Sequence, residues 1–171
     1  MIRPGWARTM AAYNSEMNRR TYAAAGTLPD EERRADRGAF FGSIHATLNH
    51  LVWADRMWMS RLDGWEPPAA GLAGSTALHA DWAELSSVRH ELDGRIEAWS
   101  AGLTQAALDG ELVWFSREAG RERRHPRWLA ISHLFNHQTH HRGQVHGLLT
   151  RAGASMQATD LPAIIGPDFR F

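Results

Sequence analysis

Apolar residues recur at helical spacing along most of this chain. Over residues 6–26, Trp6, Met10, Tyr13, Met17 and Tyr22 share one face and no proline interrupts, which predicts a first helix. Leu28-Pro29-Asp30 ends it, and Pro29-Asp30-Glu31-Glu32 reads as a turn into a short helix with an acidic first turn. A second long helix is expected over 39–62, with Phe40, Phe41, Ile44, Leu48, Leu51, Val52, Trp58, Met59 and Leu62 on a broad apolar arc. At ~100° per residue, His45, Asn49, Arg56, Ser60 and Asp63 gather on its polar arc. His50 falls instead among Ala46, Ala54 and Met57 and is expected to face inward.

Residues 64–74, with Pro67-Pro68, form a loop ending at Ser75, an N-cap candidate for a third helix running to about 101. Residues 111–116 and 121–125, separated by the turn 117–120, predict a β-hairpin capping the bundle. Pro126 suits the first turn of a fourth helix, and Gly153 suits its C-terminal stop. The apolar stripe of that helix is Trp128, Ile131, Leu134, Phe135, Val145, Leu148 and Leu149. The tail 159–171, with Pro162 and Pro167, is expected to run extended across the bundle. The predicted fold is all-α, a four-helix bundle with a small β-hairpin between helices 3 and 4, in one domain over 1–171.

Composition narrows the function classes. Lys plus Arg and Asp plus Glu total 19 each, so no net field holds nucleic acid or an anionic membrane. The basic run 117–127 contains Glu118 and Glu122 and reads as a solvated loop. With no cysteine, disulfides, a thiolate nucleophile and Cys-ligated zinc are excluded, so any metal must sit on nitrogen and oxygen. No segment has the apolar length of a bilayer span, and residues 1–20 lack a signal-peptide core, which leaves the cytoplasm as the expected compartment. Eight tryptophans would crowd a single small core, so Trp53, Trp58, Trp65, Trp82 and Trp99 suggest a homodimer interface.

The chemistry concentrates in histidine. Five of the ten histidines fall within HLFNHQTHHRGQVH, residues 133–146. Helical residues four apart stack on one face, so two imidazoles there can share an ion. His137 and His141 lie at the inward edge of the apolar stripe, whereas His133 and His140 turn toward solvent. A bundle-core site draws ligands from facing helices, and His50 supplies the third. Three nitrogens leave positions open for water or substrate, as in catalytic sites. Zinc or nickel comes foremost as the divalent ion, with iron or copper open. Asp55, inward on the second helix, needs a partner such as Arg142 and could orient a ligating imidazole.

SIHATLNHLVWADRMW, NHQTHHRGQVHGLL and the later TDLP together resemble the DinB/YfiT-like family of metalloenzymes over nearly the whole chain. The resemblance implies a four-helix bundle, commonly dimeric, whose metal-binding histidines match His50, His137 and His141. It also implies a possible activity, transfer of a low-molecular-weight thiol that the metal activates. A metal-dependent hydrolase and a non-catalytic metal- or ligand-binding bundle are the alternatives. A small-molecule substrate is expected in the enzyme readings, and no nucleic-acid or membrane partner in any.

Overall fold

The computed structural model describes residues 1–117 and 119–166. Four long helices, α1 (Pro4–Gly26), α3 (Ile44–Asp63), α4 (Trp82–Ala101) and α6 (Arg127–Arg151), form the bundle. Shorter elements link them: α2 (Asp30–Arg34), one 3-10 turn at Leu72–Gly74, α5 (Gln105–Asp109), the hairpin β1 (Glu111–Ser116) and β2 (Arg121–Pro126), and α7 (Leu161–Ile165). Both α1 and α3 pack on α4 and α6. Helices successive in sequence, α1 to α3 and α4 to α6, therefore lie diagonally opposite, and the long connections at 27–43 and 102–126 span those diagonals. The hairpin pairs antiparallel, Glu111 with Pro126 through Ser116 with Arg121, in the predicted place.

Several boundaries depart from the sequence reading. The second long helix starts at Ile44, not at 39, because Gly38 and Gly42 both adopt positive φ (73°) and Ser43 caps the helix, its side chain accepting from the Ala46 N–H. Phe40 consequently leaves the helix and is 79% exposed. Ser75 is not the N-cap of the next long helix but closes the 3-10 turn, its N–H donating to the Leu72 carbonyl: α4 begins at Trp82, behind Asp81, whose side chain accepts from the Glu84 N–H. The connection 64–81 is thus long enough to cover the polar arc of α3. Asn49 donates to and accepts from the His79 backbone, and His45 bonds the His79 carbonyl at 2.9 Å, so both are buried rather than solvated. The expected extended tail holds the short helix α7, and the Tyr13 hydroxyl donates to the Thr159 carbonyl at 2.7 Å. The remainder of the predicted tail, 167–171 with Pro167, lies outside the described residues.

Two apolar clusters make the core. Ile44, Leu48, Leu51, Val52, Leu85, Leu92, Val145, Leu148 and Leu149 build one; Met59, Leu62, Ile96, Ile131, Leu134 and Phe135 belong to the other. Of the five tryptophans read as suggesting a homodimer interface, Trp53 is buried within the chain and Trp58, Trp65, Trp82 and Trp99 are half-buried. A buried polar layer separates the clusters. Asp55 pairs with Arg89 at 2.6 Å, Arg89 with Asp93 at 2.9 Å, and Asn18 donates to Asp93 at 2.8 Å. Arg142 donates to Asn14 and Gln138. The expected ion pair of Asp55 with Arg142 is therefore replaced, because α4 lies against α3 and brings Arg89 to the carboxylate. Burial raises the pKa of Asp55, and Arg89 opposes that shift.

Candidate metal centre

His50, His137 and His141 converge. One ligand nitrogen from each lies within 4.8 Å of the others, and no carboxylate joins them among the described residues. The register explains why: His137 and His141 lie on either side of Gln138, a member of the polar layer, along α6, while His50 precedes Asp55 by five residues, about 1.4 turns, on α3. His50 Nε2 and His137 Nε2 are 3.3 Å apart. Two nitrogens at Zn–N distances of ~2.0–2.1 Å in tetrahedral geometry would be separated by about 3.3–3.4 Å, so this edge fits a small divalent ion.

Two of the three other ring nitrogens, those of His50 and His141, are engaged. His141 Nδ1 donates to Gln144 Oε1 at 2.7 Å, and Gln144 Nε2 in turn donates to His140 Nε2 at 3.1 Å. His50 Nδ1 lies 3.0 Å from Ser75 Oγ, and Ser75 is 1% exposed. In the tautomer that leaves Nε2 free as a ligand, His50 donates Nδ1–H to this hydroxyl. Ser75 and Gln144 therefore fill the orienting role for which Asp55 was considered, and Asp55 is committed to Arg89 instead. Gln144 was legible as the i+3 neighbour of His141; Ser75 was not, since its place depends on the whole 64–81 connection.

Aromatic rings wall the cluster. The Phe41 ring centroid lies 4.1 Å from that of His50 and 5.2 Å from that of His141. Trp53 stacks on His50 at 5.8 Å and 24°. Burial holds His50 down to about 4, with His141 adding to the shift, and holds His137 down to about 3, again with His141 next. Burial also lowers His141. All three imidazoles are thus neutral at pH 7, the state that ligates. As expected from the helical wheel, His133 and His140 are exposed.

The fold recurs in solved structures. A DinB-like protein from Bacillus cereus ATCC 10987 is 21% identical, with 85% of this chain and 90% of that one covered and a TM-score of 0.63. YfiT from Bacillus subtilis, described as a probable metal-dependent hydrolase with an unusual four-helix bundle topology, is 16% identical over 85% of this chain and 87% of its own, also at 0.63. A search of curated proteins finds no match. No helix is long and apolar enough to cross a membrane among the described residues. The DinB family profile matches residues 1–167, the histidine cluster included, and the chain belongs to the DinB family.

Proposed function

We propose that this protein is a metal-dependent enzyme in which His50, His137 and His141 hold zinc or nickel and a low-molecular-weight thiol is activated for transfer to a small electrophile. One observation carries the reading: three neutral imidazoles, two buried and one half-buried, converge, two of them with Nδ1 tied to an oxygen, and no carboxylate joins them among the described residues. A divalent ion held by neutral ligands alone keeps its full charge and lowers the proton affinity of a thiol or water entering its open positions.

The chain's own residues do the rest. Phe41 packs on the rings of His50 and His141 and Trp53 stacks on that of His50, which keeps water from those ring faces. His133, exposed overall and with its ring centroid 5.6 Å from that of His137, lines a neighbouring cleft, and partial desolvation of its ring lowers its pKa, so it is neutral and able to accept the thiol proton. The sulfur then bonds the electrophilic carbon while the leaving group departs with its bonding pair. With no cysteine in the chain, the sulfur comes from the substrate. The description of YfiT favours a second reading, in which water replaces the thiol and the same centre hydrolyses a substrate.

Metal-loaded and metal-free protein would be offered glutathione, bacillithiol and mycothiol with a chlorinated bimane, and the fluorescent adduct followed. A metal-dependent rate that disappears in His141→Ala supports thiol transfer. No thiol giving a rate above the metal-free control would reject it in favour of hydrolysis.

A further inference from the structure

Arg142 is 6% exposed and meets no carboxylate among the described residues. The two buried carboxylates of the polar layer both lie on Arg89, Asp55 at 2.6 Å and Asp93 at 2.9 Å. Arg142 touches neutral amide oxygens instead. Its Nη1 donates to the side chain of Asn14, to that of Asn18 at 3.3 Å and to that of Gln138 at 3.2 Å. One nitrogen of the guanidinium thus serves the polar layer, while Nε and Nη2 find no acceptor among the described residues.

The same side chain lines a cavity of about 120 Å³ between α1, α6 and residues 156–159, together with Tyr13, Thr21, Thr139, His146 and Thr159. The segment 156–159 is its outer wall, held by the Tyr13 hydroxyl, which donates to the Thr159 carbonyl at 2.7 Å. No acidic side chain lines the cavity among the described residues. The hydroxyl protons are already committed to carbonyls: Thr21 donates to Met17 at 2.7 Å and Thr139 to Phe135 at 3.0 Å. The side-chain donors left to an occupant are therefore the free edge of Arg142 and the His146 ring. A buried guanidinium is costly unless its N–H groups meet acceptors, and an anion is the acceptor that also offsets the charge.

We infer that this cavity binds a small monovalent anion with a carboxylate face, such as formate, acetate or hydrogencarbonate, on the Nε–Nη2 edge of Arg142. Two parallel N–H groups match the two oxygens of a planar carboxylate, and this fork is already fixed from its other side by Asn14, Asn18 and Gln138. One guanidinium balances one charge, which favours a monovalent ion. The volume sets the size: it is well below the ~300–1,000 Å³ of sites for drug-sized molecules. Binding here needs neither the metal nor the reaction proposed for the histidine cluster.

The test uses the metal-free full chain, so that no anion can sit on an ion at the histidine cluster. Formate and its neutral isostere formamide are titrated by calorimetry, with ionic strength held by gluconate, a carboxylate too large for the cavity. Formate is expected to bind once per chain and about tenfold or more tighter than formamide. Arg142→Met should abolish formate binding. Thr21→Leu fills the cavity from α1 and leaves the guanidinium in place, so it should weaken formate by about tenfold or more. The Thr21 hydroxyl bonds only its own helix, and that variant keeps the test valid if Arg142→Met fails to fold. Equal affinity for formate and formamide, no formate heat above the gluconate blank, or formate binding unchanged in folded Thr21→Leu overturns the proposal.

Discussion

Ser75→Ala tests whether the connection 64–81 organises the metal centre. The hydroxyl lies 3.0 Å from His50 Nδ1 and is 1% exposed, so water cannot replace it without rearrangement. A buried N–H left without an acceptor costs about 1–3 kcal/mol. Metal-free protein has an escape: the imidazole can shift its proton to Nε2 and donate toward His137 Nε2, 3.3 Å away. That tautomer places a proton where the ligand lone pair must be, so the penalty returns when metal binds. Loss of an outer partner typically costs about 10–100-fold in metal affinity, or about 1.4–2.8 kcal/mol, in agreement with the hydrogen-bond range. Competition against a chromophoric zinc chelator should show this loss, while urea unfolding of metal-free protein should fall by about 1 kcal/mol or less. An affinity within about threefold of the parent protein, well under the outer-partner range, would refute the reasoning. So would a stability loss in metal-free protein as large as the loss in binding.

His50→Ala and His137→Ala should each abolish stoichiometric metal after dialysis, measured by elemental analysis, while exposed His90→Ala retains it. His45→Ala should lower stability in urea without changing metal content, since His45 is 4% exposed and bonds the His79 carbonyl rather than the cluster. Burial lowers His50 to about 4, His137 to about 3 and His141 below its ordinary value, so protons compete with metal at these imidazoles less than at a free histidine as the pH falls. Zinc affinity should therefore be nearly flat from about pH 8 to about pH 6, and a loss of about tenfold per unit starting near 6.5, the ordinary histidine value, would contradict it. Asp55→Ala leaves Arg89 buried beside Asp93 alone and should destabilise the fold by about 3–5 kcal/mol, read by urea unfolding.

Local periodicity was enough to show the four long helices, the hairpin at 111–126 and the inward aim of His50, His137 and His141, because each depends on spacing within one element. The Gly42-Ser43 pair was a readable start signal for α3, and the run of apolar residues from Phe40 obscured it. Other features belong to the tertiary structure alone. Periodicity says that Asp55 faces inward but not which helix lies opposite, and the diagonal connections put α4 there, so Arg89 and not Arg142 takes the carboxylate. His45 and Asn49 sit on a polar arc that would be solvated in an isolated helix; the 64–81 connection folds over it and buries them. The same connection carries Ser75 to His50 and Ala70 to Trp53, contacts between residues 25 and 17 positions apart. A loop has no repeat from which its path can be read, and this one is positioned by the hydrogen bonds it makes after the helices have packed.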